Sequence, residues 1–252
     1  MRFVRRLAVP LAVLAIWAGV TEVTPLFPKA LLPSPFAVAD ALAQLLKSGE
    51  LLEHSLASLE RILYANLLAL GLAVPLGLAL GLSTAAEDFL GGILSVFRPI
   101  PPLAWVPLSI LWFGIGTLSV VFITFLAAFF ALLINTTAGA RSVDKTMLRA
   151  AASLGASRNR TLLKVVLPSV LPYIFTGTRI AIGVSWMSIV AAELIAASSG
   201  LGYMISFYRE VLRTDIVIVG MLTIGVIGLG IDICSRWLEA RLLPWREFGR
   251  AR

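Results

Sequence analysis

Long apolar runs fenced by charged residues decide what this chain can fold into. Six of them stand out: 7–20, 62–82, 89–113, 118–134, 173–195 and 216–234. A helix needs about 20 apolar residues to cross the hydrocarbon core of a bilayer. Helices satisfy their backbone groups internally, which hydrocarbon demands. The predicted fold is therefore an all-α integral membrane protein of about six transmembrane helices, organised as a single membrane domain over residues 1–252. Composition agrees: 59% of the 252 residues are hydrophobic, 14% are charged, and the mean hydropathy is +0.94. A soluble domain carries about 25% charged residues. A soluble globule, a disordered tail and a disulfide-rich secreted scaffold are excluded. With Cys234 the sole cysteine and His54 the sole histidine, no intrachain disulfide can form and a His/Cys metal site is not expected.

Orientation follows from the basic residues, which collect on the cytoplasmic side of membrane proteins. Arg2, Arg5 and Arg6 precede the first run. Arg141, Lys145, Arg149, Arg158, Arg160 and Lys164 lie between the fourth and fifth. Arg236, Arg241, Arg246, Arg250 and Arg252 follow the sixth. These are fourteen of the 21 basic residues, against Lys29, Lys47, Arg209 and Arg213 in the opposite loops. Both termini and the 137–170 segment are therefore expected in the cytoplasm. The first run has the basic start of a signal peptide, but Thr21-Glu22-Val23-Thr24 offers no small-x-small cleavage site, so it reads as a retained anchor.

The third run carries Pro99, Pro101, Pro102 and Pro107. Each removes a backbone donor. It is expected to be broken, either as a kinked structural helix or as the wall of a cavity. Gly77 and Gly81, four apart in the second run, would let another helix approach closely. Outside the membrane, 36–46 reads as a short amphipathic helix and 198–215 as a second outer segment.

Charges within the runs cost roughly 2.5–3.5 kcal/mol each at mid-membrane. Arg179 is either a cation on an anion's route or a side chain reaching back to the cytoplasmic interface. Glu193, about 21 Å further along a straight helix, either gates the pathway or caps packing. Arg61 and Arg98 are further candidate pathway cations. Asp232 and Arg236, four apart, are expected to pair along one helix.

The 137–170 segment is unusually long for a connector. Asp144 can cap a helix through Leu154, and Gly155 supplies its left-handed stop. Ser157 can cap a second helix ending near Pro168. A ten-residue helix is marginal alone, and this one presents small alanines that suit docking into a groove.

Arg149-Ala150-Ala151, then Gly155, then Val165-Val166-Leu167-Pro168, resembles the coupling loop of binding-protein-dependent ABC importer permeases. Leu32-Pro33-Ser34-Pro35, Arg98-Pro99-Ile100-Pro101-Pro102-Leu103-Ala104-Trp105, Thr176-Gly177-Thr178-Arg179-Ile180-Ala181 and Val190-Ala191-Ala192-Glu193 followed by Ser198-Ser199-Gly200-Leu201-Gly202-Tyr203 look like the nitrate/sulfonate/taurine/bicarbonate subgroup. The likeness covers most of 30–245. It departs at Arg149, where the family usually has Glu.

The resemblance implies a type I importer permease fold. It also implies a dimer enclosing a pathway, two cytoplasmic ATPase subunits that bind ATP and Mg, and an external solute-binding protein. Arg149, Ala150, Ala151, Gly155, Leu167 and Pro168 would couple to the ATPase. The chain itself would be non-catalytic and hold no cofactor: it has no Gly-x-x-x-x-Gly-Lys-Ser/Thr phosphate loop and no nucleophile–base constellation. The implied substrate is a small anion, with an uncharged vitamin precursor as the alternative. An ion-gradient carrier would need ionisable groups near mid-membrane, and 184–187 has none.

Overall fold

The computed structural model of the protein describes residues 2–23, 28 and 30–242, without the side chains of 2–8, 10, 23 and 242. Lys29, Arg246, Arg250 and Arg252 lie outside the described residues, as do the side chains of Arg2, Arg5 and Arg6. The described elements are helices: α1 (Arg2–Ala18), α2 (Pro35–Ser48), α3 (Glu50–Leu82), α4 (Thr84–Phe97), α5 (Pro102–Phe113), α6 (Thr117–Arg141), α7 (Lys145–Ser153), α8 (Arg158–Ala196), α9 (Leu201–Glu210) and α10 (Thr214–Leu242).

By length and hydropathy α3, α6, α8 and α10 can each cross a membrane, and the bent pair α4–α5, taken as one broken span, would be a fifth. The first expected span, 7–20, lies in a helix that runs from Arg2 to Ala18 and on through a π turn, Gly19–Val23. The third run is not one rod: α4 and α5 meet at 84°. Arg98 keeps helical angles, φ −55° and ψ −43°, and the chain breaks just after it, with Pro101 extended at φ −59°, ψ 138°.

Three helices, α3, α6 and α8, build the core. Gly77 and Gly81 set the spacing of α3 on α6: a Cβ at Gly77 would come within 2.7 Å of Thr136 Cβ, and one at Gly81 would run into Ala140 Cβ. Gly139 faces Tyr173 in the same way across α6 and α8. Small residues thus let the backbones close up, which is how helices gain packing energy where lipid supplies no hydrophobic drive. One buried cluster joins Ile123, Ile189, Leu201, Met204 and Val219 near the Glu50 end of α3. A second joins Ala69, Ala73, Leu132 and Val170 nearer its Leu82 end. Leu63, Leu67, Met221, Val226 and Leu229 point outward, as they would toward lipid or another subunit. Asn66 Nδ2 donates to Ser185 Oγ at 2.9 Å, tying α3 to α8 across the buried interface.

The helix capped by Ser157 does not stop near Pro168. Ser157 Oγ accepts from Arg160 N as expected, but the chain then passes through a π turn, Leu162–Val166, and continues to Ala196. Proline clashes with the carbonyl four residues back. The wider π turn just before Pro168 relieves that clash, so a proline that reads as a stop becomes part of a 39-residue helix.

Candidate functional site

A helix, α7, forms where the coupling helix was expected. Asp144 Oδ1 accepts from Thr146 N at 2.7 Å, capping its start. At its end Ala156 N donates to Ala151 O and Gly155 N to Ala152 O, both at 3.0 Å, with Gly155 at φ +74°. This six-to-one and five-to-two pair is a Schellman ending, and its left-handed residue is tolerated by glycine without penalty. A Cβ at Gly155 would meet no atom within 4 Å, so backbone strain is the whole cost of a side chain there.

Only Ala151 of α7 is buried; Ala150 and Arg149 are exposed. Arg149 Nε donates to Lys145 O at 3.3 Å. Leu154 is 87% exposed and Met147 54%. Leu167 packs partly buried against the Leu82-end cluster, while Pro168 is exposed at the π-turn junction. The helix is shaped and capped, yet most of its surface contacts nothing within the chain.

The four candidate pathway charges separate. Arg61 and Glu193 come together, 132 residues apart in sequence, at 3% and 1% exposure. Arg61 Nη1 donates to Glu193 Oε1 at 2.8 Å and to Ser199 O at 2.7 Å. Its Nη2 donates to Ser199 Oγ at 2.5 Å, and Nε and Nη2 reach Thr117 Oγ1 at 3.3 Å. The Ser58 hydroxyl lies 2.9 Å from both Glu193 oxygens and accepts from Leu201 N. Gly202 N donates to Glu193 Oε2 at 3.0 Å.

Local sequence explains the fit. Gly200 sits at φ +104°, and a Cβ on it would run into the Glu193 carboxylate. A Cβ on Gly202 would come within 2.5 Å of Val190 O. The two glycines let the 199–202 turn fold onto the carboxylate. The result locks α3, α8, the start of α6 and the entry to α9 together. Gly116 N donates to Ala196 O in the same region. The pairing of Arg61 with Glu193 was not anticipated. The one sequence signal for it is that two charges of opposite sign fall near the ends of two apolar runs.

Arg179 is half-exposed on α8 and faces α10: its Nη1 donates to Glu239 Oε2 at 3.3 Å, and its Nε lies 3.8 Å from Asp232 Oδ1. Arg236 pairs with Asp232, as the four-residue spacing predicts. Arg98 is exposed at the α4–α5 bend and lines a cavity of about 400 Å³ between α4 and α6.

Comparison with known proteins places this arrangement. Residues 73–244 match the family described as binding-protein-dependent transport system inner membrane component. The taurine transport system permease protein TauC of Escherichia coli is 41% identical, over 92% of this chain and 86% of that protein. The putative aliphatic sulfonates transport permease protein SsuC of Bacillus subtilis is 36% identical, over 97% and 88%. Among solved structures, a chain of the MetNI methionine ABC transporter in inward-facing conformations matches with a TM-score of 0.64 at 15% identity, covering 73% of this chain and 92% of that one. The broken helix, the capped loop helix and the glycine-spaced core thus sit in the sequence and fold of a known class, and the chain belongs to the binding-protein-dependent ABC importer permeases.

Proposed function

We propose that this permease carries a small sulfonate-type anion, of the kind named for its taurine and sulfonate relatives, and that it works as a dimer around a shared pathway. Both termini and α7 face the cytoplasm, where two partner ATPase subunits bind ATP and Mg and close against the loop. A solute-binding protein delivers substrate on the opposite side. The observation that carries this reading is α7 itself. A nine-residue helix capped at both ends, with Met147, Arg149 and Leu154 exposed, is too short to be stable alone and buries a single residue in its own chain. Such a helix fits a groove on another protein. Arg149, Ala150, Ala151 and Gly155 supply the contact and the turn, and Leu167 and Pro168 join it to α8, so a push on the loop moves a membrane-spanning helix directly.

The test is reconstitution in liposomes with the partner ATPase and binding protein. Uptake of taurine or an alkanesulfonate that needs ATP and all three components supports the reading. ATP hydrolysis by the purified chain alone, or uptake without the ATPase, overturns it. A reporter fused at the C-terminus that is active only outside the cytoplasm overturns the orientation.

A further inference from the structure

We propose that α2 lies flat in the bilayer interface at the Glu50 end of the bundle, with Phe36, Leu42 and Leu46 dipped into the acyl chains of the adjoining leaflet. The helix has 14 residues, about 20 Å, too short to cross roughly 30 Å of hydrocarbon. Ser34 caps its start, with Ala37 N donating to Ser34 Oγ, and Gly49 ends it at φ +80°. Two independent features, its faces and its ends, place it.

The helix has three faces rather than two. Val38, Ala41 and Leu45 are buried in the cluster that holds Ile216 and Val219. At about 100° per residue, Leu42, Leu46, Ala39, Ala43 and Phe36 follow in order round one side of that buried face. They are exposed, Leu46 at 61% and Phe36 at 69%. Lys47, Asp40, Gln44 and Ser48 fill the remaining side and are exposed too. An ordinary surface helix sets one apolar stripe against one polar face. Here a second apolar flank, uncovered, stands between the buried stripe and the polar side. That is the pattern of a helix at the rim of a membrane protein, with protein beside it, hydrocarbon beneath it and water above.

The ends fix the depth. Just before α2, Trp17 Nε1, at the end of α1, donates to Pro33 O at 3.0 Å, and Thr214 Oγ1, at the start of α10, donates to Ala30 O at 2.6 Å. Just after it, Glu50 opens α3 and accepts from the Tyr208 hydroxyl, near the end of α9, at 2.9 Å. The start of α2 is thus tied to the ends of α1 and α10, and its finish to the ends of α3 and α9. α3 and α10 both leave for the membrane from this side, so the two ends of α2 stand at similar depth and the helix runs across the end of the bundle. Trp and Tyr collect at that level, where an apolar ring meets lipid and a polar tip meets water. The flank of Phe36, Leu42 and Leu46 is therefore held where acyl chains begin.

The test is made on the full chain in phosphatidylcholine nanodiscs, with Cys234→Ser removing its sole cysteine. Single cysteines are placed by Phe36→Cys, Ala39→Cys, Leu42→Cys, Ala43→Cys and Leu46→Cys on the apolar flank, and by Asp40→Cys, Gln44→Cys and Lys47→Cys on the polar side. Each carries a nitroxide. Power saturation compares its collisions with oxygen, which concentrates in hydrocarbon, and with a water-soluble nickel chelate. All eight positions are exposed, and the two alanine positions lose no side-chain bulk, so the flank is read even if a Phe or Leu variant extracts poorly. Orientation, ATPase and substrate do not enter the measurement, so its failure leaves the transport reading standing. The oxygen-to-nickel ratio should be about tenfold higher on the apolar flank, equivalent to about 1.4 kcal/mol of partition, and the two profiles should run out of phase along the helix. Few collisions with either reagent on that flank would show a second copy of the chain covering it. Frequent nickel collisions there would put the flank in water, open to a soluble partner, and equal ratios on both sides would leave α2 with no membrane-facing side. Each of these three results overturns the proposal.

Discussion

The two ends of the helix bundle solve the same problem in opposite ways. Near Glu50, the polar groups of Arg61, Glu193, Ser58, Ser199 and Gly202 satisfy one another inside the chain. At the other end, the α7 segment leaves Ala150, Ala152, Met147 and Leu154 open. The first region is closed and self-sufficient. The second is finished locally by its caps and leaves most of its surface uncovered. A buried charge pair tolerates no rearrangement, because separating it strands both charges. A capped surface helix tolerates any movement that keeps its turn. The difference teaches where motion would belong under the proposed coupling: the closed end would hold helices in register, and the open end would receive force.

The sharpest way to break the comparison is to remove one partner of the closed end. Glu193→Ala leaves Arg61 at 3% exposure without its counter-charge. Losing one member of a buried pair costs about 3–5 kcal/mol. Little folded protein should survive detergent extraction and size-exclusion chromatography. The double variant Arg61→Met with Glu193→Gln, which keeps an acceptor for Gly202 N and Ser58, should recover much of it. A Glu193→Ala protein as stable as the parent would show that the closed end is not closed.

Next comes the open end. Gly155→Val places a β-branched residue at φ +74°, costing about 1–2 kcal/mol in backbone strain. Transport in reconstituted liposomes should fall roughly tenfold, as 1.4 kcal/mol would dictate, while the amount of inserted protein stays the same. Equal losses of protein and transport would make Gly155 a folding residue instead.

A smaller effect sharpens the chemistry of the open end. Arg149→Glu should weaken substrate-stimulated ATPase activity, and an acid-to-Lys change on the partner ATPase should restore it. A double-mutant cycle should give a coupling of about 1 kcal/mol. Additive effects at every nearby ATPase carboxylate would leave Arg149 facing water.

The smallest effect belongs to the rim of the closed end. Burial, and then the hydrogen bond its hydroxyl donates to Glu50 at 2.9 Å, hold Tyr208 above the usual tyrosine range. The folded protein therefore keeps this proton more tightly than the unfolded chain does. The stability it contributes is fully present below the ordinary tyrosine pKa of about 10 and is lost as pH rises through the elevated value. Tyr208→Phe should flatten the decline of melting temperature in that alkaline range. An identical decline in the variant would remove Tyr208 from the account.

How much of this was legible in the sequence depends on how local the cause is. The caps at Asp144 and Ser157, the stop at Gly155 and the close approach at Gly77 and Gly81 are written in a few neighbouring residues, and the structure has each of them. The break at 98–102 was legible because proline acts on its own backbone, although its 84° angle was not. Pro168 misled, since a π turn upstream converts a stop into a passage. The Arg61–Glu193 pair was not legible, because it depends on the register of α3 against α8 rather than on spacing along the chain. The motif that carried the family resemblance after Glu193 turns out to be its cradle: Ser199, Gly200 and Gly202 are there to reach the carboxylate.

That pairing also sets a schedule for biosynthesis. Arg61 enters the membrane long before its counter-charge exists, since Glu193 is made 132 residues later. At about 5–20 residues per second, the wait is on the order of ten seconds. During it Arg61, only eleven positions into α3, can keep its guanidinium in the interfacial water at the Glu50 end. When α8 arrives, the carboxylate, the 199–202 turn and Ser58 draw that side chain in together. The pair thus closes only once α8 is made, and the Arg179–Glu239 contact waits longer still, for α10.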